Sequence, residues 1–345
     1  MRRNEALLAP PYQKDPVEEA FLEGLNASLA EFERAGYELD LPERYPTFHV
    51  VGAPRSGTTL LIQLIASSLD IGCINNLIAA FWEAPCCGIR LSRKLLGEHP
   101  PASSYRSHYG RTTAIYEPHE FGYFWTRLLQ YSDFRAPEEQ DHAPIDWQEV
   151  RTVITNMTAT WGRPIVFKSF KIPWHAGELL RVLEKSCFLW MRRDPVDVAV
   201  SLFRMRLSYA LTPEEWVSFK PPEYEVLKDL PVHRQVAGQA VYLDRQIRRA
   251  LDAIGRRNVI EVSYDELCRA PAEVLERVRE LAARNGYQAR FRMPPPEPLA
   301  RVRHRAELSP DERLVARHVE DLLEEDDVVG PPVAAPVTPR RRRPA

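Results

Sequence analysis

Cysteine is scarce in this chain of 345 residues, which contains five cysteines. They are Cys73, Cys86, Cys87, Cys187 and Cys268, an odd number with no C-x-x-C pair. This pattern argues against a disulfide framework and against a zinc site built on cysteine pairs. It is typical of a reducing compartment, so we expect a cytoplasmic protein with no bound metal.

Long apolar runs and a strong net charge are absent as well. No stretch approaches the roughly 18 apolar residues of a membrane span, and the first residues, Met1 to Glu5, lack the apolar region of a signal peptide. The net charge of −2 provides no general attraction to nucleic acid or to an anionic membrane. We therefore expect no nucleic-acid partner and no membrane span, and any cationic site must be local.

A glycine-bounded segment near the start of the chain is the most informative stretch that is present. Residues 48–60 read F-H-V-V-G-A-P-R-S-G-T-T-L, and an apolar stretch of helical length follows. A strand, a tight turn and a helix N-terminus direct backbone N–H groups at one small anion. The spacing Gly52-x4-Gly57 is that of a Walker A loop.

This loop nevertheless lacks the Walker lysine, because Thr58 stands at that position and the basic residue is Arg55 instead. We therefore expect the loop to hold a phosphate-like group. Without that lysine, the loop is poorly equipped to bridge the β- and γ-phosphates of ATP.

Strand-like and helix-like segments alternate along the rest of the chain. Further strands are predicted at 163–168, 186–191 and 258–264, with helices at 17–35, 147–161, 176–183, 195–203, 232–253 and 271–285. Such alternation is typical of a mostly parallel sheet. The predicted fold class is α/β, a three-layer P-loop-type fold with a central, mostly parallel sheet flanked by helices and with helical insertions.

The composition divides the chain into three zones. We expect a helical lead at 1–46, a main domain at 47–328 and a disordered Pro/Arg-rich tail at 329–345. Polar insertions interrupt the main domain at 86–116, 131–147 and 209–231. We expect these insertions to form the pocket of a second substrate.

Three basic or hydroxyl clusters lie at the C-terminal ends of predicted strands: Arg55 to Thr59, Lys168 to Lys171, and Arg193 with Ser201. The carboxyl ends of parallel strands lie at one edge of a sheet, where ligands bind. Arg193 and Ser201 could reach one phosphate from two sides. An ion pair of Arg193 with Asp197 at i+4 is the structural alternative. Two separated anion sites at one edge suit a nucleotide with phosphates at both ends.

Two of these clusters also resemble motifs of the sulfotransferases that use 3′-phosphoadenosine 5′-phosphosulfate (PAPS). Pro54–Thr59 looks like that family's 5′-phosphosulfate loop, and Arg193-Asp-Pro-x-Asp-x-x-x-Ser201 is similar to its 3′-phosphate motif. Ser263–Leu267 resembles a stretch whose tyrosine lies near the adenine. The resemblance implies a PAPS donor, no metal, and the following donor-binding residues: Arg55, Ser56, Gly57, Thr58, Thr59, Arg193, Ser201 and Tyr264.

The resemblance extends over roughly residues 46–325 and is nearer to bacterial enzymes and the tyrosylprotein branch than to cytosolic members. Cytosolic members have a catalytic histidine in a Lys-Thr-His motif, whereas this chain has Lys168-Ser-Phe-Lys171, so only Lys168 is carried over. The tyrosylprotein branch has a glutamate where this chain has Ile74–Asn76. The C-terminal glycine-rich lysine motif is absent, and Arg303 and Arg305 are its candidate substitutes.

The general base of such a reaction must therefore come from elsewhere, and a base typically contributes about 10²–10⁴-fold. The candidates are Glu117, His119 and Glu120, with Glu83 next. Pro118 predicts a helix start with Glu117 as its cap, so the structural alternative is that Glu117 and Glu120 only cap this helix. We expect Arg55 and Lys168 to supply positive charge to the transferred group.

The expected function is transfer of a sulfuryl group from PAPS to a hydroxyl or amine of a small-molecule, lipid or glycan acceptor. A small-molecule kinase on the same loop is one alternative. The other is a catalytically silent nucleotide-binding protein that uses the aromatic segment 121–125 as a partner surface. The sequence leaves the acceptor and the oligomeric state open.

Overall fold

The structure is a computed structural model that describes residues 9, 13–97, 103–131, 144–301 and 307–329. Five strands form its central sheet: β1 Thr47–Val51, β2 Gly72–Cys73, β3 Ile165–Lys168, β4 Ser186–Arg192 and β5 Val259–Ser263. All the strand pairs are parallel, and the strand order is β2-β3-β1-β4-β5. The carboxyl ends of β1, β3 and β4 therefore lie side by side in the middle of one edge.

Helices connect the strands and cover the sheet: α1 Pro16–Ala35, α2 Thr58–Ser68, α3 Asn76–Ala79, α4 Pro85–Leu96, α5 Gly122–Leu128, α6 Trp147–Trp161, α7 Ala176–Val182, α8 Pro195–Tyr209, α9 Tyr224–Leu227, α10 Val232–Ile254, α11 Tyr264–Arg269, α12 Pro271–Arg284 and α13 Pro310–Val329. A short 3₁₀ turn at Ile172–His175 precedes α7. None of these helices, within the residues described, is long and apolar enough to cross a membrane.

The core has two parts, one on each face of the sheet. Side chains of β4 alternate between them, because successive residues of a strand point to opposite faces. Phe188 and Trp190 pack with α6, α8 and α10, whereas Leu189 and Met191 pack with α2 and α12. This arrangement confirms the predicted three-layer α/β fold.

The edge strand β2 was not predicted from the sequence. It consists of Gly72 and Cys73, which pair with Ile165 and Val166 of β3. Two residues are too few to produce a recognisable apolar alternation. A Cβ atom on Gly72 would lie 2.7 Å from the ring of Trp161, so the close packing of α6 against this edge depends on glycine.

The prediction of a helix start at Pro118 is wrong, since α5 begins at Gly122. Pro118 instead forms an isolated antiparallel bridge with Asn75, and its two neighbours hydrogen-bond to the chain after β2. The Asn76 N–H donates to the Glu117 carbonyl at 3.0 Å, and the His119 N–H donates to the Ile74 carbonyl at 2.8 Å. These long-range hydrogen bonds override the local preference of proline for the first turn of a helix.

The insertion that contains α9 is anchored by a buried arginine. Arg206 of α8 donates to the side-chain oxygens of Gln235 at 2.5 Å and Gln239 at 3.2 Å. These two glutamines of α10 in turn donate to backbone carbonyls of residues 217–219 and 228–230. Burial lowers the pKa of Arg206 to about 10. The insertion is therefore tied to the helices beside the sheet edge.

Candidate active site

The loop between β1 and α2 forms the centre of the sheet edge. A Cβ atom on Gly57 would lie 2.7 Å from the ring of Tyr264, and its φ of +105° favours glycine. No side chain caps the N-terminus of α2. The hydroxyl of Ser56 is buried without a hydrogen-bond partner among the described residues. The loop thus presents a hydroxyl and a helix N-terminus that suit a bound anion.

Next to this loop lies a group that we call the arginine cluster: Arg55, Arg193, Ser201 and Tyr264. Arg55 Nε donates to Ser201 Oγ at 3.0 Å, and Arg193 Nη1 donates to the Arg55 carbonyl at 3.2 Å. The Arg193 guanidinium carbon lies 4.4 Å from the centre of the Tyr264 ring. The structure thus brings together residues of the loop, of the turn after β4, of α8 and of α11 that the sequence predicted to share one nucleotide.

The electrostatics of the arginine cluster favour an anion. Burial, followed by repulsion from Arg193, lowers the pKa of Arg55. The predicted i+4 ion pair also exists, because Asp197 Oδ2 lies 3.9 Å from Arg193 Nε. That distance is long for a charge-assisted hydrogen bond, which usually spans about 2.7–2.9 Å. A phosphate between the two arginines would relieve their mutual repulsion.

On the other side of the loop lies the lysine cluster, which consists of Lys168, Thr59 and Glu120. The buried Lys168 is the last residue of β3, and its Nζ donates to Thr59 Oγ1 at 2.9 Å and to Glu120 Oε1. Desolvation alone would raise the pKa of Glu120, but attraction and hydrogen bonding from Lys168 outweigh it and lower this pKa below its usual value. Glu120 is therefore ionised, and it lies against the lysine that the sequence assigns to the reacting group.

Glu117 has a different position from Glu120. Its carboxylate is 3% exposed and accepts hydrogen bonds from Ser103 Oγ, the Ser104 N–H and Gln63 Nε2. These bonds fix the start of the 103–121 segment to α2. Glu117 neither caps a helix nor contacts Lys168. Its hydrogen bonds anchor the 103–121 segment.

His119 lies between the two glutamates in sequence, at the protein surface. Its Nδ1 accepts the Phe121 N–H at 2.9 Å, so Nε2 is the ring nitrogen that this hydrogen bond does not use. Desolvation by nearby protein atoms outweighs attraction from Glu120 and lowers the pKa of His119 below its usual value. The imidazole is therefore neutral near pH 7.

Two asparagines occupy the stretch where the tyrosylprotein branch has its glutamate, and both have structural contacts. Asn75 Oδ1 caps α3 by accepting the Ile78 N–H at 2.9 Å. Asn76 Nδ2 donates to Thr112 Oγ1 at 3.0 Å and to the Ala114 carbonyl at 2.8 Å. This position therefore holds the 103–121 segment in place rather than offering a base.

The remaining candidates are placed as follows. Glu83 forms an ion pair with Arg127 at 3.1 Å. The aromatic segment 121–125 is not a partner surface, since Phe121, Phe124 and Trp125 are at most 1% exposed. Arg303, Arg305 and residues 330–345 of the predicted tail 329–345 lie outside the described residues. Within the described part of the chain, no group of three or more His, Cys, Asp or Glu could hold a metal ion.

Sequence reasoning missed Tyr109 and Gly110, which lie against both clusters. The Arg55 guanidinium carbon is 5.2 Å from the centre of the Tyr109 ring. Gly110 lies above Lys168 and Thr59. The polar 92–116 stretch has no apolar periodicity, and only the Tyr-Gly pair hints at a turn, so no local signal could place these residues at the site.

Comparison with known proteins identifies the family of this chain. A sequence profile described as the sulfotransferase family matches residues 46–283. The crystal structure of a sulfotransferase from Mycobacterium avium superimposes with a TM-score of 0.52 at 17% identity, covering 92% of this chain and 78% of that one. A sulfotransferase from Mycobacterium tuberculosis gives a TM-score of 0.47 at 15% identity, covering 88% of this chain and 80% of that one. No curated protein matches significantly.

The profile match spans well over half of the chain and includes the loop, β3, β4 and the start of α8. The structural match supports the fold alone. The chain therefore belongs to the sulfotransferase family, whose members transfer a sulfuryl group.

Proposed function

We propose that this sulfotransferase takes its sulfuryl group from PAPS and transfers it to a hydroxyl or amine of a small-molecule, lipid or glycan acceptor. The observation that carries the proposal is the placement of the arginine cluster and the lysine cluster on opposite sides of one anion-binding loop. PAPS has a 3′-phosphate at one end and a phosphosulfate at the other. Two separate cationic groups flanking a loop match this distribution of charge.

The loop residues fit the 5′-phosphosulfate. The uncapped N-terminus of α2 at Thr58 and Thr59 offers backbone N–H groups, and the buried Ser56 hydroxyl offers a further donor. Gly57 permits the close approach of the chain that such a cradle requires. These features support binding of one anionic group at the loop.

The arginine cluster fits the 3′-phosphate and the adenine ring of the donor. Arg193 and Ser201 would contact the phosphate, and Arg55, a residue of the loop itself, hydrogen-bonds to both of them. The Tyr264 ring beside Arg193 offers an aromatic surface next to this phosphate, where the adenine would lie.

The lysine cluster fits the group in transfer. In the reaction the acceptor oxygen or nitrogen attacks sulfur while the bond from sulfur to the bridging oxygen breaks, and negative charge builds on the oxygens. Lys168 and Arg55 would stabilise that charge from fixed positions. Since they are held by Thr59, Glu120 and Ser201 beforehand, little reorganisation is needed at the moment of reaction.

Among the three candidate bases, the geometry favours Glu120. It is ionised and lies at the ammonium group of Lys168, whereas Glu117 is committed to the 103–121 segment. When sulfuryl oxygens draw the ammonium group of Lys168, Glu120 loses part of its counter-charge and becomes a stronger base. The neutral His119 next to it is the second choice.

The test is a binding comparison followed by an acceptor screen. Calorimetry should show that adenosine 3′,5′-bisphosphate, the donor product, binds at least tenfold more tightly than adenosine 5′-phosphate, because only the former reaches Arg193 and Ser201. Labelled PAPS should then label a compound in a panel of phenols, lipids and glycans. Equal affinity for the two nucleotides would sink the PAPS assignment, and magnesium-dependent ATP turnover would favour a kinase.

A further inference from the structure

Residues 108–111 form a tight two-residue hairpin turn. The His108 N–H donates to the Arg111 carbonyl at 2.9 Å, and the Arg111 N–H donates to the His108 carbonyl at 3.0 Å. The two central residues, Tyr109 and Gly110, have φ values of 50° and 90°. A type I′ turn requires positive φ at both of these positions. Glycine tolerates this conformation, whereas tyrosine adopts it at a cost, and such strain often marks a functional segment.

The tip of this turn touches both clusters at once. The Tyr109 ring lies against the Arg55 guanidinium, with 5.2 Å between the ring centre and the guanidinium carbon. A Cβ atom on Gly110 would lie 3.5 Å from Lys168 Nζ and from Thr59 Oγ1, and 3.8 Å from Glu120 Oε1. A single added methyl group would therefore touch all three members of the lysine cluster.

The turn is also held against α8. The Tyr109 hydroxyl donates to the Arg204 carbonyl at 3.4 Å, and the Tyr109 and Tyr209 rings meet edge to face at 6.2 Å. The Arg111 guanidinium carbon lies 5.1 Å from the centre of the Tyr209 ring. Because Glu117 fixes the start of the segment to α2, the turn is supported on two sides.

We propose that the Tyr109–Gly110 turn closes the donor site, as a positioning element of the proposed reaction. The Tyr109 ring orients the Arg55 guanidinium towards the donor. The backbone at Gly110 covers the sulfuryl group on Lys168 and keeps water from the sulfur, and glycine leaves the space that this group occupies. The proposal rests on PAPS being the donor.

Exclusion of water matters because the donor can react without an acceptor. In that reaction a water oxygen attacks the sulfur and the bond from sulfur to the bridging oxygen breaks. The electron pair of that bond stays with the bridging oxygen, so sulfate and adenosine 3′,5′-bisphosphate form, and two protons pass to the buffer. A cover over the lysine cluster suppresses this loss while an acceptor with the correct shape can still approach.

The first pair of variants tests the ring. Tyr109→Asn removes the ring but keeps a residue that tolerates positive φ. We expect it to bind adenosine 3′,5′-bisphosphate about tenfold more weakly, because the ring no longer holds Arg55. Release of this product from PAPS in the absence of acceptor should rise about tenfold per bound donor. The conservative variant Tyr109→Phe should restore both values towards those of the wild type.

The second pair tests the space at Gly110. Gly110→Ala should weaken binding of PAPS about tenfold while binding of adenosine 3′,5′-bisphosphate, which lacks the sulfuryl group, stays within about twofold. Gly162→Ala is the matched control, since Gly162 has a φ of +72° with nothing within 4 Å of its added Cβ. It carries comparable backbone strain without contact to the site.

The outcomes separate this proposal from the proposed function. If the wild type does not prefer the 3′-phosphorylated nucleotide, PAPS is not the donor and the closure proposal falls with it. If the wild type binds as expected but Tyr109→Asn releases product from PAPS no faster than Tyr109→Phe, the turn does not exclude water. If Gly110→Ala loses affinity equally for both nucleotides, or behaves like Gly162→Ala, then Gly110 does not provide the space for the sulfuryl group.

Discussion

The arginine cluster and the lysine cluster lie on either side of the same loop, yet they differ in how their charged groups are paired. Repulsion from Arg193 contributes to the lowered pKa of Arg55, and the Asp197 carboxylate lies 3.9 Å from Arg193 Nε. Lys168, by contrast, forms a close ion pair with Glu120 inside the lysine cluster. The arginine cluster as defined therefore contains two cations that repel each other, whereas the lysine cluster contains one cation and one anion.

This difference matches two kinds of bound charge. A 3′-phosphate keeps its charge throughout the reaction, so a fixed excess of positive charge beside Ser201 and Tyr264 suits it. The sulfuryl oxygens and the acceptor change their charge as the transfer proceeds. A cation paired with a movable carboxylate can stabilise the new charge and accept the proton in the same place.

The largest expected effect comes from breaking the lysine cluster. Lys168→Met keeps the length of the side chain but removes the charge, and we expect kcat to fall by about 10²–10³, as for loss of one donor to a developing oxyanion. Affinity for adenosine 3′,5′-bisphosphate should change by less than about threefold, because that nucleotide lacks the sulfuryl group. Single-turnover kinetics with an acceptor from the screen would measure the loss.

The control for this variant removes both charges. Lys168→Met alone leaves Glu120 without its partner, which could lower stability. The double variant Lys168→Met/Glu120→Gln has no uncompensated charge, so its melting temperature should be near that of the wild type while turnover stays low. If the double variant turned over normally, the lysine cluster would not contain the reacting group.

A smaller effect is expected in the arginine cluster, on binding rather than on turnover. Arg193→Ala should weaken binding of adenosine 3′,5′-bisphosphate about 10- to 100-fold, since hydrogen bonds to a charged group contribute about 1.5–3 kcal/mol. Binding of adenosine 5′-phosphate should not change. Calorimetry on both nucleotides gives the comparison.

The neighbouring arginine provides a matched control. Arg192 pairs with Glu261 at 2.8 Å and with Asp244 at 3.8 Å, outside the arginine cluster. Arg192→Ala should therefore leave both nucleotide affinities unchanged. An equal loss for both nucleotides in Arg193→Ala would mean that Arg193 supports the loop through the Arg55 carbonyl rather than binding the 3′-phosphate.

Most of the fold could be predicted because its signals are local. The apolar strands after the glycine loop, the Asp194-Pro195 start of α8 and the Trp147–Trp161 helix are each specified by residues close in sequence. The start of α5 could not be predicted in this way. It depends on hydrogen bonds between residues 117–119 and 74–76, a pairing that no local pattern contains.

The residues of the site also fall into two groups, those that local motifs predict and those that depend on long-range contacts. Arg55, Arg193 and Ser201 belong to motifs whose spacing implies their meeting, and the structure places them in contact. Glu117 and Glu120 are only three residues apart, and no local pattern predicts that they take different positions. They depend on how the 103–121 segment crosses the sheet edge, which also brings Tyr109 to Arg55.

The smallest expected effect concerns the titration of Glu120 and tests the neutrality of the lysine cluster directly. In the wild type, attraction and hydrogen bonding from Lys168 outweigh desolvation and lower the pKa of Glu120 below its usual value. In Lys168→Met only desolvation and weaker attractions, from His119 and Lys171, remain, and we expect this pKa to rise above that of the wild type.

Carbon NMR of the labelled glutamate carboxyl, assigned by its loss in Glu120→Gln, would follow this titration without any acceptor. A wild-type midpoint below that of an ordinary glutamate, which moves upward in Lys168→Met, would confirm the close pair. A midpoint that stays the same would mean that Glu120 does not face Lys168 in solution. In that case the lysine cluster would carry excess positive charge like the arginine cluster, and His119 would become the stronger candidate for the base.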